Sequence, residues 1–199
     1  MEISKFLKNN IANIISLSTI PFALCAFYYI FLGDFFFSFL FINIAFFLDT
    51  LDGYFARKLK IESEIGRLID SFCDILNYLI YPALLIFVFF SFDFLLSVIL
   101  GSFIVVFGMA RLARFTSEGF VVKEGRNYYK GLPVPVALYG TALCYVLYQK
   151  FPEIMTYAFP VIIIVSSLLM VSSLKVKKIN NVYWYILVLI GLLYLSLVR

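Results

Sequence analysis

FLDTLDGYFARKLKIESEIGRLIDSFCD, residues 47–74, sets four carboxylates, Asp49, Asp52, Asp70 and Asp74, into the ends of two strongly apolar runs. The surrounding chain offers them little water. Of its 199 residues 63% are hydrophobic, 20% aromatic and only 14% charged, whereas a soluble domain carries about 25% charged and 45–50% apolar residues. That composition leaves too little polar surface for a soluble globular fold, and it is equally unlike a disordered or disulfide-rich chain. An all-α integral membrane protein remains.

Crossing the hydrocarbon takes roughly 20 apolar residues as a helix. Seven runs qualify, at 12–32, 35–57, 64–91, 94–117, 132–149, 153–173 and 181–198, so the pattern predicts a bundle of about seven helices, with six to eight accommodated. Short polar breaks separate most of them, and two longer polar stretches span Lys58 to Glu64 and Ser117 to Lys130. Residues 3–10 read as a short interfacial helix, because Ile3, Phe6 and Leu7 alternate with Lys5 and Lys8. No small-residue cleavage pattern follows the first apolar run, which reads as a retained segment rather than a signal peptide. With the N-terminus in the cytoplasm, fourteen of the sixteen Lys and Arg residues fall inside and only Lys150 and Arg199 outside. The net charge of +4 follows from that bias and calls for no nucleic-acid partner.

Two further counts restrict the chemistry. There is no histidine, which excludes His-based metal sites, catalytic triads and His general bases. Cys25, Cys73 and Cys144 are scattered through apolar stretches and read as buried free thiols.

An ionised side chain within a membrane helix costs at least a few kcal/mol unless paired or hydrated. Asp49 and Asp52 are spaced i,i+3 and Asp70 and Asp74 i,i+4, so each pair shares one side of its helix. Gly53 and Gly66 lie on those sides and would let a helix or a ligand approach closely. The short connection makes the two helices antiparallel neighbours, which brings all four carboxylates to one depth near the cytoplasmic surface. Hard oxygen donors without His or Cys favour Mg²⁺, Mn²⁺ or Ca²⁺, and two such ions would clamp a diphosphate. The competing reading is a set of interhelical ion pairs with Arg57, Arg67, Arg111 and Arg114.

Asp49, Asp52, Gly53, Ala56, Arg57, Gly66, Asp70 and Asp74 match, at every spacing, the pattern D-x2-D-G-x2-A-R-x8-G-x3-D-x3-D. In this the chain resembles the CDP-alcohol phosphotransferase family. The resemblance implies one domain over residues 1–199 with its motif core at 49–74. It also implies an integral-membrane homodimer that moves a phosphatidyl-type group from a CDP-lipid to an alcohol and releases CMP. By the same resemblance the four aspartates hold two divalent cations, Mg²⁺ or Mn²⁺, and Asp74 is the general base. Gly53, Ala56, Arg57 and Gly66 line the cytidine diphosphate site. Where the family carries Pro-Asn and then Thr near the first helix, this chain has Ala12-Asn13 and Ser16, and Asn13 is the position that would contact the nucleotide.

The acceptor is read from the fourth run and the polar stretch after it. Arg111 and Arg114, spaced i,i+3 at about the depth of the aspartates, suit an acceptor carboxylate or a lipid phosphate; the competing reading is snorkelling to the headgroups. KGLPVPVA (130–137) reads as a helix start, since proline is tolerated in a first turn, but ARLARF (110–115) followed by KGLPVPVA is similar to the serine-using branch of the family. That implies CDP-diacylglycerol or CDP-archaeol as donor and L-serine as acceptor, whose carboxylate Arg111, Arg114, Arg126 or Lys130 would bind. The site is then expected to face the cytoplasm from a multi-pass protein of the cytoplasmic membrane, among membrane lipids. Inositol phosphate or glycerol phosphate is the alternative acceptor, and a cation-coupled transporter the alternative of another class.

Overall fold

A computed structural model describes residues 2–61, 63–118, 121–123 and 126–177. Helix α1 (Glu2–Phe31) and α2 (Phe35–Leu59) form an antiparallel pair joined at Gly33, whose φ of 73° suits a residue without a Cβ. The Asp34 carboxylate then accepts from the Phe37 N–H at 3.0 Å and caps α2. Residues 3–10 are the opening turns of the continuous α1 rather than a separate short helix, since no Gly or Pro interrupts the chain before Pro21.

The turn after α2 controls where the acidic helices meet. Lys60 takes a left-handed conformation (φ 54°) and its N–H returns to the Ala56 and Arg57 carbonyls, closing the helix. Ser63 Oγ accepts from the Gly66 N–H at 2.9 Å and starts α3 (Glu64–Asp74). From Ile75 to Ile80 this helix widens into a π-helical turn, then resumes as α4 (Tyr81–Phe89). Helix α5 (Phe94–Glu118) is capped by the Asp93 carboxylate, which accepts from the Leu96 N–H. Gly108 of α5 lets the helix press directly onto Leu79 in the π turn, where a Cβ would collide with the Leu79 side chain.

Helices α6 (Pro135–Lys150) and α7 (Pro152–Val171) complete the bundle among the described residues. The core runs between them as a nearly continuous cluster that includes Phe39, Ile42, Tyr78, Leu85, Ile104, Leu138 and Phe159. At the end away from the aspartates it is an aromatic stack, with Phe90 and Phe159 ring centroids 4.2 Å apart and Phe35 and Tyr145 at 4.5 Å.

Five helices among the described residues are long and apolar enough to cross a membrane: Asn10–Phe31, Phe35–Leu59, Glu64–Phe89, Phe94–Glu118 and Pro152–Val171. The chain is a multi-pass membrane protein. The run expected at 132–149 forms α6, which has 16 residues and a length of about 24 Å at 1.5 Å per residue, short of an average core. The run expected at 181–198 lies outside the described residues. The polar stretch before α6 is not all irregular: β1 (Val121–Lys123) and β2 (Arg126–Lys130) pair antiparallel, and β3 (Lys175–Lys177) adds to the far edge of β2. Val and Tyr favour that extended state, but helical periodicity carries no signal for β3, which joins β2 across two whole helices.

Gly131 joins the sheet to the bundle. Its φ is 81°, its N–H donates to the Leu174 carbonyl at 2.7 Å, and an added Cβ would meet the Met170 carbonyl oxygen. Gly131→Ala therefore combines an unfavourable backbone conformation, about 1–3 kcal/mol by itself, with a backbone clash. Thermal unfolding in detergent is expected to give a Tm several degrees below wild type, whereas Gly140→Ala, within α6 and with open space around it, leaves the Tm equal or slightly raised.

Candidate functional site

Three of the four predicted carboxylates come together. Asp49, near the end of α2, and Asp70 and Asp74 on α3 each present an oxygen within 4.8 Å of the other two. The cause is local: Ser63 and Lys60 fold the α2–α3 connection into a tight reversal, so the carboxylates of two successive helices face each other. Asp52 is buried beside this group rather than within it. It lies against Ser16 of α1 and feels the charges of Asp70 and Arg57. Asp49 Oδ1 and Asp52 Oδ2 are buried with no hydrogen-bond partner.

Such an assembly is costly. Buried carboxylate oxygens without partners lose their hydration, and neighbouring carboxylates repel. Ion pairing with arginine, the competing explanation, does not offset this: among the described residues no aspartate of the four makes an ion pair, and the one such pair is Lys130–Glu118 at 3.0 Å. A hard divalent cation fits what is present, namely three convergent carboxylates, an unpartnered buried oxygen, and no nitrogen or sulfur donor among them.

The residues expected to line the nucleotide site lie around this cluster. Arg57 folds back along α2 so that its guanidinium covers Gly53, with Nη1 3.2 Å from where a Cβ would stand. Ala56 is half-buried on the same helix. Gly66 opens α3 against α1: a Cβ there would be 2.9 Å from Asn13 Oδ1 and 3.0 Å from Ser63 Oγ. Asn13 and Gly66, far apart in sequence, are therefore close neighbours across the α1–α3 interface. The Cys73 thiol donates to the Ser16 carbonyl at 3.3 Å and ties the same two helices at a deeper level.

The basic residues separate into different roles. Arg111 is buried at 4% exposure, its guanidinium packed against the adjacent rings of Phe115 (5.0 Å) and Tyr129 (5.4 Å), its Nε unpartnered, and Asp74 within electrostatic reach. Arg114 departs from the anion-binding expectation. It donates to the carbonyls of Val171 (2.8 Å), Lys130 (2.6 Å), Met170 (3.0 Å) and Ser172 (3.2 Å), which holds the end of α7 to β2. Most of these acceptors are carbonyls left open by the end of a helix, and a guanidinium so engaged has few donors left for a ligand. Lys130 pairs with Glu118 at a half-exposed position. Arg126 lies on β2, its backbone in register with Lys123.

Sequence reasoning missed Tyr78, which contacts the cluster, and its buried neighbour Asn77. Tyr78, 1% exposed, donates its phenol O–H to Asp49 Oδ2 at 2.7 Å. Asn77, also 1% exposed, is about one turn beyond Asp74 and has neither carboxamide atom partnered. Both stand in the π turn, where a 3.6-residue period no longer assigns faces.

The profile of a known family, the CDP-alcohol phosphatidyltransferases, matches residues 9–197. A protein named archaetidylserine synthase from Methanothermobacter thermautotrophicus is 33% identical over 141 residues, covering 69% of this chain and 57% of that one. Two proteins named CDP-diacylglycerol–serine O-phosphatidyltransferase are similar as well. The one from Helicobacter pylori is 29% identical over 161 residues (76% of this chain, 65% of that one). The one from Methanocaldococcus jannaschii is 32% identical over 152 residues (75% and 68%). The chain thus spans less than two thirds of the length of the first two relatives.

Proposed function

Because the chain belongs to the CDP-alcohol phosphatidyltransferase family, we propose that it transfers a phosphatidyl or archaetidyl group from a CDP-lipid to the hydroxyl of L-serine, releasing CMP. The observation that carries this reading is the convergence of Asp49, Asp70 and Asp74 with, among the described residues, no ion pair to any of them. The whole chain acts as one domain, as a homodimer in the cytoplasmic membrane with the site toward the cytoplasm, where most of its Lys and Arg residues would lie.

Asp49, Asp70 and Asp74, with Asp52 beside them, hold two divalent cations, Mg²⁺ or Mn²⁺. When bound, these neutralise the diphosphate and stabilise the charge that develops on it during transfer. Arg57 lies over Gly53, whose missing Cβ makes room for the guanidinium that would face the diphosphate, and Asn13 and Gly66 form the floor of the nucleotide site. Asp74 accepts the proton of the serine hydroxyl. The hydroxyl oxygen then forms its bond to the lipid-side phosphorus, the bond to the bridging oxygen breaks, and CMP departs with that oxygen.

Arg111 is the cation placed to orient the acceptor, buried within electrostatic reach of Asp74 and packed against the rings of Phe115 and Tyr129. With Arg114 committed to backbone carbonyls and Lys130 to Glu118, a single buried guanidinium suits a carboxylate better than the dianion of inositol phosphate or glycerol phosphate. The names of the similar proteins support the same acceptor.

The test is CMP release by the purified chain from CDP-diacylglycerol and CDP-archaeol with Mn²⁺, in the presence of serine, glycerol phosphate or inositol phosphate. Serine-dependent CMP is expected, and Arg111→Gln raises the KM for serine about tenfold or more, the worth of one charged hydrogen bond, with the KM for CDP-lipid little changed. Release with another alcohol only would overturn the acceptor, and release with none the catalytic reading.

A further inference from the structure

Tyr78 does something that a buried tyrosine tie between helices need not do: its partner is a carboxylate of the cluster, and it occupies only one of that carboxylate's oxygens. The phenol donates to Asp49 Oδ2 at 2.7 Å, while Asp49 Oδ1 stays buried and unpartnered. The ring itself is fixed, 1% exposed and edge-on to Phe46 at 6.0 Å. It reaches back to α2 from the π-helical turn that directly follows Asp74. Such turns are concentrated at functional sites because they re-aim side chains that a regular helix would point elsewhere. From these contacts we infer that Tyr78 is a positioning residue for the cation site, holding Asp49 so that Oδ1 is presented to the ion in one orientation. The inference rests on the metal reading of the same carboxylates. Groups that hydrogen-bond to metal ligands in this manner change metal affinity by about 10- to 100-fold when removed.

The fold supplies its own control. Tyr81, one turn along the same helix, is also fully buried and also makes a hydroxyl contact to α2, with Ser38 Oγ at 3.1 Å, but touches no carboxylate. Tyr78→Phe and Tyr81→Phe remove the same atom from the same helix and the same kind of interhelical tie. Mn²⁺ binding to the full chain in detergent, followed by the free-ion electron paramagnetic resonance signal, separates the two roles. Tyr78→Phe is expected to raise the Mn²⁺ Kd about 10- to 100-fold, and raising Mn²⁺ restores most of its CMP release. Tyr81→Phe binds Mn²⁺ like wild type. A Kd for Tyr78→Phe indistinguishable from wild type, or an equal loss in both variants, overturns the inference and leaves the metal site standing. Absence of Mn²⁺ binding to the wild-type chain overturns both. If Tyr78→Phe fails to fold, Tyr78→Met, which also lacks the hydroxyl, is read by the same criteria.

Discussion

Asp74→Asn is expected to abolish serine-dependent CMP release, by about a thousandfold or more, while CDP-lipid still binds. The substitution keeps the shape of a half-buried side chain within a continuous helical segment, so α3 and its packing survive. What it removes is the basicity. A positioned general base contributes about 10²- to 10⁴-fold, and Asp74 also belongs to the cluster within 4.8 Å of Asp49 and Asp70, so some loss of cation affinity adds to it. The measurement is kcat at saturating Mn²⁺ beside equilibrium binding of CDP-lipid. A fall in kcat with binding retained identifies the base, and an enzyme that keeps its turnover would remove Asp74 from the chemistry. Asp70→Asn should behave differently, with the loss largest at low metal and partly recovered as Mn²⁺ is raised.

Removing divalent ions should be as severe. Chelation with EDTA is expected to bring CMP release to background, with recovery on adding Mn²⁺ or Mg²⁺, because an all-carboxylate donor set matches hard ions. The same ions should also stabilise the fold. Three carboxylates packed together repel until a cation lies among them, and a ligand at a hundred times its Kd contributes about 2.7 kcal/mol. The unfolding midpoint is therefore expected to rise with Mn²⁺ in wild type and to respond much less in a chain carrying both Asp49→Asn and Asp70→Asn. Full turnover in EDTA would contradict the metal reading outright.

The carboxylates were legible in the sequence because helix geometry converts spacing into direction. Positions four apart lie almost in line along an α-helix, so Asp70 and Asp74 look the same way from α3, and the short turn after Lys60 requires α2 to face them. Asp52 departs from that expectation: three positions fall about 60° short of a full turn, and the residue lies toward Ser16 rather than in the group of three. Tyr78 was not legible, since a π turn shifts the phase of every later residue. Nor was the role of Arg114. Its partners are backbone carbonyls 16 to 58 residues away, and a carbonyl carries no mark of residue type. KGLPVPVA reads from sequence both as a helix start and as a block of the serine-using branch; in the fold its Pro135 opens α6, while the role of Gly131 as the left-handed joint against Met170 carried no local signal. The short α6 and the three-stranded sheet were hidden for a related reason. Apolar content near 135–150 resembles that of a span, and strand pairing between residues 128–130 and 175–177 depends on contacts that no local pattern encodes.

Anomalous scattering from Mn²⁺ in crystals of the wild-type chain tests the central claim most directly. Density between Asp49, Asp70 and Asp74, within ligand distance of their oxygens, is the predicted result. Well-ordered aspartates with no anomalous peak among them at saturating Mn²⁺, or manganese bound only elsewhere, would contradict it.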